Sequence, residues 1–578
     1  MKLLSPFLLA FTATAAATAT PQVKTLNGTY LGRHVPSLNQ DLFLNIPFAR
    51  APRFANPTPY NESWSDLRPA EWYGPICHQS LSPERIAQTN ISGINEECLN
   101  LNIVRPSGHN VQKDGKLPVL VWIHGGGFVS GFGSDLNSNF SYVVKKSVDI
   151  GTPILAVAIN YRLGIFGFPG GEEVQREGVA NLGLKDQRIA LQWVQENIEA
   201  FGGDRNKVTL WGQSAGGYSI VGQMLAYGGR DDGLFQRAVA YSGLVGIANT
   251  GNVTRSDRVR TMETIAEATG CEGKGLACLR GVDAGLLFEA ARNATRGTPS
   301  TLWTAIDGAF LREAPSLQLM RGGFPRKLKI LTGSNSDEGL SLLSQLPELN
   351  TEDDVMGLLR RLFLQATNET LRKLLDAYPA EAGGPPFSLP FDQTDWFCQG
   401  MRNIGMPCTT QSRRIAAIAG DYAFLGGRRT LARAVAEQGM TAYSFRFDTW
   451  PLGKEVQRGK FRPGFATHAA EYSYFFGYGR EHTWFEDNPM VANSSSHQAL
   501  SHGIVTKLVS FVHSGDPDAV KAPGFPAWPK YSVKSPSNLV FNATEKPDVL
   551  NVHVEPDTFR EEGIRLFETY PYQLDHLS

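Results

Sequence analysis

Two short apolar runs stand out in the first third of the chain, Leu117–His124 (LPVLVWIH) and Pro153–Asn160 (PILAVAIN). Each has strand length, carries β-branched residues and lacks polar alternation, so each predicts a strand buried on both faces. Between Asp186 and Ala200 the period changes. Ile189, Leu191, Trp193, Val194 and Ile198 fall on one side of a helical wheel and predict an amphipathic helix. Val208–Trp211 predicts the next strand, with a helix over Tyr218–Ala226 close behind it. Further strands are predicted at Arg237–Ser242, Leu328–Gly333, Ala442–Phe447 and Asn538–Phe541. Strands alternating with helices predict an α/β architecture, a largely parallel sheet covered by helices. Residues 340–435 read as helices and loops, a helical cap around the carboxyl edge of the sheet. No linker sets them apart, so residues 20–578 read as one catalytic domain.

Composition narrows the partners. With 42% hydrophobic and 19% charged residues in 578, a large core is available and disorder is disfavoured. Lys plus Arg number 55 against 56 Asp plus Glu, so no basic excess exists to neutralise nucleic acid phosphates. The charges are also dispersed, without the basic runs that hold proteins to anionic membranes.

The N-terminus predicts export. Met1-Lys2 is followed by an apolar stretch from Leu3 to about Ala17, and Ala17-Thr18-Ala19 offers a cleavage site, so residues 1–19 read as a signal peptide. Nine N-x-S/T sequons suit a secreted glycoprotein: Asn27, Asn61, Asn90, Asn139, Asn252, Asn293, Asn368, Asn493 and Asn542. No later apolar run reaches the ~20 residues of a membrane span, and Tyr572–Ser578 has no hydrophobic anchor tail. The expectation is a soluble extracellular protein with no stable membrane anchor.

Six cysteines form three local couples, Cys77 with Cys98, Cys271 with Cys278 and Cys398 with Cys408. In an oxidising compartment the simplest pairing closes three short loops, though sequence alone permits other connectivities. Zinc is the competing use, but no C-x-x-C occurs and the histidines are not interleaved with the couples. His497 and His502 lack the i,i+4 spacing of a zinc pair and read as surface residues.

Gly212-Gln213-Ser214-Ala215-Gly216 lies between a predicted strand and a predicted helix. A serine at such a turn is held in strained backbone geometry that glycines on both sides make room for, and its hydroxyl projects above the sheet as a nucleophile. A second motif, His124-Gly125-Gly126-Gly127-Phe128, directly follows a strand. Consecutive glycines let backbone N–H groups approach a developing oxyanion, and Gly126, Gly127 and Ala215 are the candidate donors.

Further segments run in the same order as in one family. They include Asn45–Arg50 (NIPFAR), Glu97–Asn102 (ECLNLN), Asn160–Gly164 (NYRLG), Asn181–Gln187 (NLGLKDQ) and Phe201–Asp204 (FGGD). With the two glycine motifs, the chain after its leader resembles the type-B carboxylesterase/lipase family, the cholinesterase-like branch of the α/β-hydrolases. The resemblance implies an α/β-hydrolase fold and a Ser–Glu–His triad acting through an acyl-enzyme, with no cofactor and no metal. The family's acid motif matches Gly333–Gly339 (GSNSDEG) and falls on Glu338, beside Asp337. Its base motif matches Gly464–Glu471 (GFATHAAE) and falls on His468. Two cysteine couples, Cys77–Cys98 and Cys271–Cys278, match the family's bridges; Cys398–Cys408 is less general.

Two departures bear on the substrate. Cholinesterases carry Glu before the serine and a tryptophan in the first disulfide loop. Here Gln213 is neutral and residues 77–98 hold no Phe, Tyr or Trp. A cation–π site for choline thus lacks its main wall. Family lipases use that loop as an apolar lid, whereas here Leu81, Ile86, Ile91 and Ile94 are scattered among polar residues. The expectation is an esterase for soluble or modest-chain esters, with an interfacial lipase as the alternative. Acyl transfer follows from the same acyl-enzyme. A non-catalytic adhesion role is disfavoured because all of the catalytic residue types are retained.

Overall fold

In the computed structural model of the chain, the described residues are 20–81, 86, 89, 91–243, 251–296, 299–345, 349–380, 409–450, 466–477 and 494–574. The predicted leader at 1–19, Asn90, Asn493, Cys398 and Cys408 lie outside them.

The predicted strands become the middle of an 11-stranded sheet. In chain order its strands are β1 (Arg33–Val35), β2 (Gln40–Pro47), β3 (Asn100–Pro106), β4 (Leu117–Ile123), β5 (Leu155–Ile159) and β6 (Gly203–Gln213). They continue with β7 (Arg237–Tyr241), β8 (Lys329–Asn335), β9 (Thr441–Phe447), β10 (Ser537–Phe541) and β11 (His553–Pro556). The spatial order is β11-β10-β9-β8-β7-β6-β4-β5-β3-β2-β1. Strands β5, β4, β6, β7, β8, β9 and β10 run parallel, and the strands at both edges pair antiparallel.

The absence of polar alternation in the apolar runs has a direct cause. Val119, Val121 and Ile123 face one core while Leu120 and Trp122 face the other. The first core is closed by α1 (Leu182–Asn197) and α2 (Ala215–Gly229), whose last turns are broken by non-helical backbone at Ala226, Tyr227 and Gly228. Helices α3 (Glu352–Leu362), α4 (Asn368–Ala377) and α5 (Thr410–Gly420) share a separate apolar cluster with Leu340 and Phe567. A single π-helical turn, Asp421–Leu425, joins α5 to α6 (Gly426–Glu437). The opposite face of the sheet is covered by α7 (Ser495–Ser514).

Two expectations need correction. The segment 340–435 does not all belong to a cap, because α6 puts Leu431, Ala432 and Val435 into the same core as Ile330 of β8 and Ala442 of β9. It is a crossover helix lying on the sheet, because its apolar positions repeat at helical spacing and find the strand faces beneath them. His497, read as a surface residue, is buried in α7 with its Nδ1 against the Tyr474 hydroxyl at 2.6 Å. His502, one helical face away, is exposed.

Cys77 is bonded to Cys98 and Cys271 to Cys278. Among the described residues no cysteine is free.

Candidate active site

The parallel strands deliver the motif residues to one edge of the sheet. His124 follows β4, Ser214 follows β6 and Glu338 lies three residues beyond β8, all at carboxyl ends. Ser214 takes φ +56° and ψ −126° between β6 and α2, a region that L side chains rarely enter. Its N–H donates to the Tyr241 carbonyl at the end of β7, at 3.1 Å. Both motif glycines are required by contact. A Cβ on Gly212 would stand 2.5 Å from the Gly216 carbonyl, and one on Gly216 would stand 2.0 Å from the Ile123 oxygen.

Ser214, His468 and Glu338 come together from positions 254 and 130 residues apart. The Ser214 hydroxyl donates to His468 Nε2 at 2.8 Å, and His468 Nδ1–H donates to Glu338 Oε2 at 2.7 Å. Glu338 is fully buried, and its other oxygen accepts the Asn335 N–H at 2.8 Å. Asp337, the neighbouring acid, is turned towards Ala466, whose N–H donates to its Oδ2. Burial pulls the His468 pKa down, but the charge of Glu338, its hydrogen bond and the charge of Glu471 outweigh burial and hold it above the ordinary histidine value.

Glu471 had no role in the sequence reading, although it ends the base motif. It is fully buried, three residues beyond the imidazole, and accepts from Ser242 Oγ at 3.3 Å and from the Asn335 side-chain amide. Burial first, and then the charge of Glu338, push its pKa up to about 7. The His-x-x-Glu spacing was a usable signal, since three residues in a turn bring side chains to one side.

The glycine motif packs directly on the turn at Ser214. A Cβ on Gly125 would lie 2.8 Å from the Gln213 carbonyl and 3.1 Å from Ser214 Cβ. Gly126 and Gly127 have φ of +102° and +63°, open to glycine without strain. His124 braces this loop from below. Its ring stacks on Tyr161 at 4.2 Å and Nδ1–H donates to the Gly125 carbonyl at 2.9 Å, while burial lowers its pKa to about 4 and keeps it neutral. Gln79, two residues into the first disulfide loop, bonds both backbone groups of Gly131 and ties that loop to the glycine motif. Gln213 is buried beside the serine.

A model of the carboxylesterase family matches residues 19–559. The chain belongs to the carboxylesterase family. It is a carboxylic ester hydrolase. Lipase 5 of Diutina rugosa is 35% identical to it over 463 residues, covering 73% of this chain and 78% of the relative. Lipase 4 of the same organism is 31% identical, with 92% and 93% covered. Relatives named as secreted lipases come from Arthroderma benhamiae and Botryotinia fuckeliana. The crystal structure of Aspergillus niger EstA superposes with a TM-score of 0.77 over 96% of this chain and 99% of its own, at 24% identity, which establishes the shared α/β-hydrolase fold.

In this carboxylesterase the described sequons fall into two groups. Asn61, Asn252, Asn293 and Asn368 are exposed. Asn27 and Asn542 are half-buried and donate their side-chain amides to backbone carbonyls, and Asn139 spends its side-chain oxygen on the Ser141 N–H. Among the described residues, no cluster of three or more His, Cys, Asp or Glu could hold a metal ion. No described helix is long and apolar enough to cross a membrane.

Proposed function

We propose that the protein is a secreted serine esterase in which Ser214 attacks the ester carbonyl, His468 is the general base and Glu338 holds the imidazole. The observation that carries this reading is the unbroken chain Ser214 Oγ to His468 Nε2 at 2.8 Å and His468 Nδ1 to Glu338 at 2.7 Å. His468 takes the hydroxyl proton as the C–O bond forms, and buried Glu338 stabilises the resulting imidazolium. The tetrahedral oxyanion is received by the N–H groups of Gly126, Gly127 and Ala215, each such donor lowering the barrier by about 3 kcal/mol. Collapse passes the proton to the departing alcohol and leaves an acyl-enzyme, which water cleaves by the same steps.

Residues 1–19 act as the export signal in this reading, and relatives named as secreted lipases support it. The substrates are soluble or modest-chain esters. Neutral Gln213 and a disulfide loop without Phe, Tyr or Trp disfavour choline esters. A second reading, an interfacial lipase, is favoured by the names of the relatives at 35% and 31% identity.

p-Nitrophenyl esters of increasing acyl length, given to wild type and Ser214→Ala, test both parts. Turnover that vanishes in the variant and peaks at short chains supports the proposal. Unchanged turnover in Ser214→Ala would overturn the mechanism. A jump in rate above the solubility limit of a long-chain ester would favour the lipase reading.

A further inference from the structure

The two hydrogen bonds of His468 fix the line through its ring nitrogens, but they leave the ring able to rock about that line. Among the described residues, one aromatic side chain stacks on its flat face. Phe424 stacks on the imidazole at 4.6 Å between centroids and 30° between planes, and is itself buried. Phe424 belongs to the π-helical turn Asp421–Leu425, which interrupts what would otherwise be one helix from α5 to α6. Each helical residue turns the chain by about 100°, so the wider turn changes which side chain faces His468.

The same turn is fastened to the supports of the other two triad residues. Tyr218, one helical turn beyond Ser214, donates its hydroxyl to the Ala423 carbonyl at 2.7 Å. Just before the turn, Gly420 is pressed against the residue after Glu338: a Cβ on Gly339 would lie 2.6 Å from the Gly420 nitrogen. Leu342, on the segment that begins at Glu338, packs against the cluster of Ala423, Phe424, Leu425 and Ile564. The first residue of the turn, Asp421, is anchored by Arg560 at 3.0 Å and by the Tyr378 hydroxyl at 2.7 Å.

We infer that the π-helical turn is the positioning element of the triad, with Phe424 holding the His468 ring in the plane that serves Ser214 and Glu338. This rests on the nucleophile and base proposed above. Phe424 acts through the imidazole. It stops the ring from rocking, and its face lies against the cation that forms when the serine proton is transferred.

The test uses the full-length protein and a soluble p-nitrophenyl ester, with kcat, KM and the thermal midpoint measured for each variant. Phe424→Leu fills the space without a flat face and is expected to lower kcat about tenfold at near-constant KM, the effect of misaligning a reacting group. Phe424→Tyr restores the aromatic face and most of kcat. Tyr218→Phe frees the turn and lowers kcat less, and combining it with Phe424→Leu gives less than the product of the single losses. Wild-type kcat in both Phe424→Leu and Tyr218→Phe would overturn the inference. So would a loss confined to KM, which would make Phe424 a wall of the substrate pocket. Ser214→Ala, run alongside, keeps the two proposals apart, since its full activity would refute the triad itself.

Discussion

Glu338 and Glu471, two fully buried carboxylates near one imidazole, are bound by the same residue: Asn335 gives its backbone N–H to Glu338 and its side-chain amide to Glu471. Only Glu338 touches His468. Glu471 acts at longer range, raising the imidazole's pKa, and Glu338 in turn helps raise that of Glu471. The arrangement sets the two carboxylates in different surroundings, one hydrogen-bonded to the imidazole and one whose burial favours its protonated form.

The pH dependence of activity follows. In the proposed mechanism the neutral imidazole is the base, so kcat/KM is expected to fall as pH drops through a value above the ordinary histidine pKa of 6.5. Glu471→Gln removes one of the groups that raise it, and the acidic limb of the profile moves to lower pH. An unmoved limb would show that Glu471 has no electrostatic hold on His468.

Stability carries a second signature of Glu471. Its folded pKa is raised from 4.5 to about 7, so between these values the folded protein binds a proton that the unfolded chain releases. Its contribution is therefore favourable below the window and is lost as pH rises through about 7. The thermal midpoint of Glu471→Gln minus that of wild type is expected to grow from about pH 5 to pH 8. A constant difference would contradict this account.

Gly216 tests the turn at Ser214 by packing alone. A Cβ there would stand 2.0 Å from the Ile123 oxygen, on a central strand that has no room to retreat. Gly216→Ala should destabilise the protein by about 3 kcal/mol or more and remove activity. Gly222→Ala, on the same helix with its nearest new contact at 3.4 Å from a Leu184 methyl, should fold and turn over normally. Equal midpoints for the two variants would refute the packing argument.

Glycan attachment is expected at exposed asparagines rather than at those whose side-chain nitrogen is committed to backbone carbonyls. Asn27 donates its amide to the Tyr60 and Glu62 carbonyls, and Asn542 donates to Asp448 at 2.6 Å, so a sugar on either would break those bonds. Enzymatic deglycosylation in heavy-oxygen water, followed by peptide mapping, should mark sites among Asn61, Asn252, Asn293 and Asn368 and leave Asn27 and Asn542 unmarked. Marks at the latter two would contradict the assignment.

What could be read in the sequence was what local chemistry decides. Val119 to Ile123 reads as a strand because both of its faces are buried, and the turn at Ser214 reads from glycines that no other residue could replace. The antiparallel edge strands β1 to β3 escaped because they are not continuous apolar runs. The π-helical turn also escaped, since Asp421 to Leu425 continues the helical pattern of its neighbours and its register is set by partners as distant as Tyr218 and Arg560. His497 was misread for the same reason. Its burial depends on Tyr474, on a separate segment packed against α7. The resemblance made Glu338 and His468 candidates, but their meeting at 2.7 Å depends on the whole sheet.

The central claim is that Ser214 becomes covalently acylated through His468. Its most direct measurement is intact-protein and peptide mass spectrometry after treatment with a phosphonofluoridate, which traps an activated serine irreversibly. The account predicts one adduct per chain, on the peptide containing Ser214, slowed strongly by Glu338→Gln or by acid and absent from Ser214→Ala. Labelling of any other residue with matching loss of activity, or hydrolysis that persists in Ser214→Ala, would contradict it.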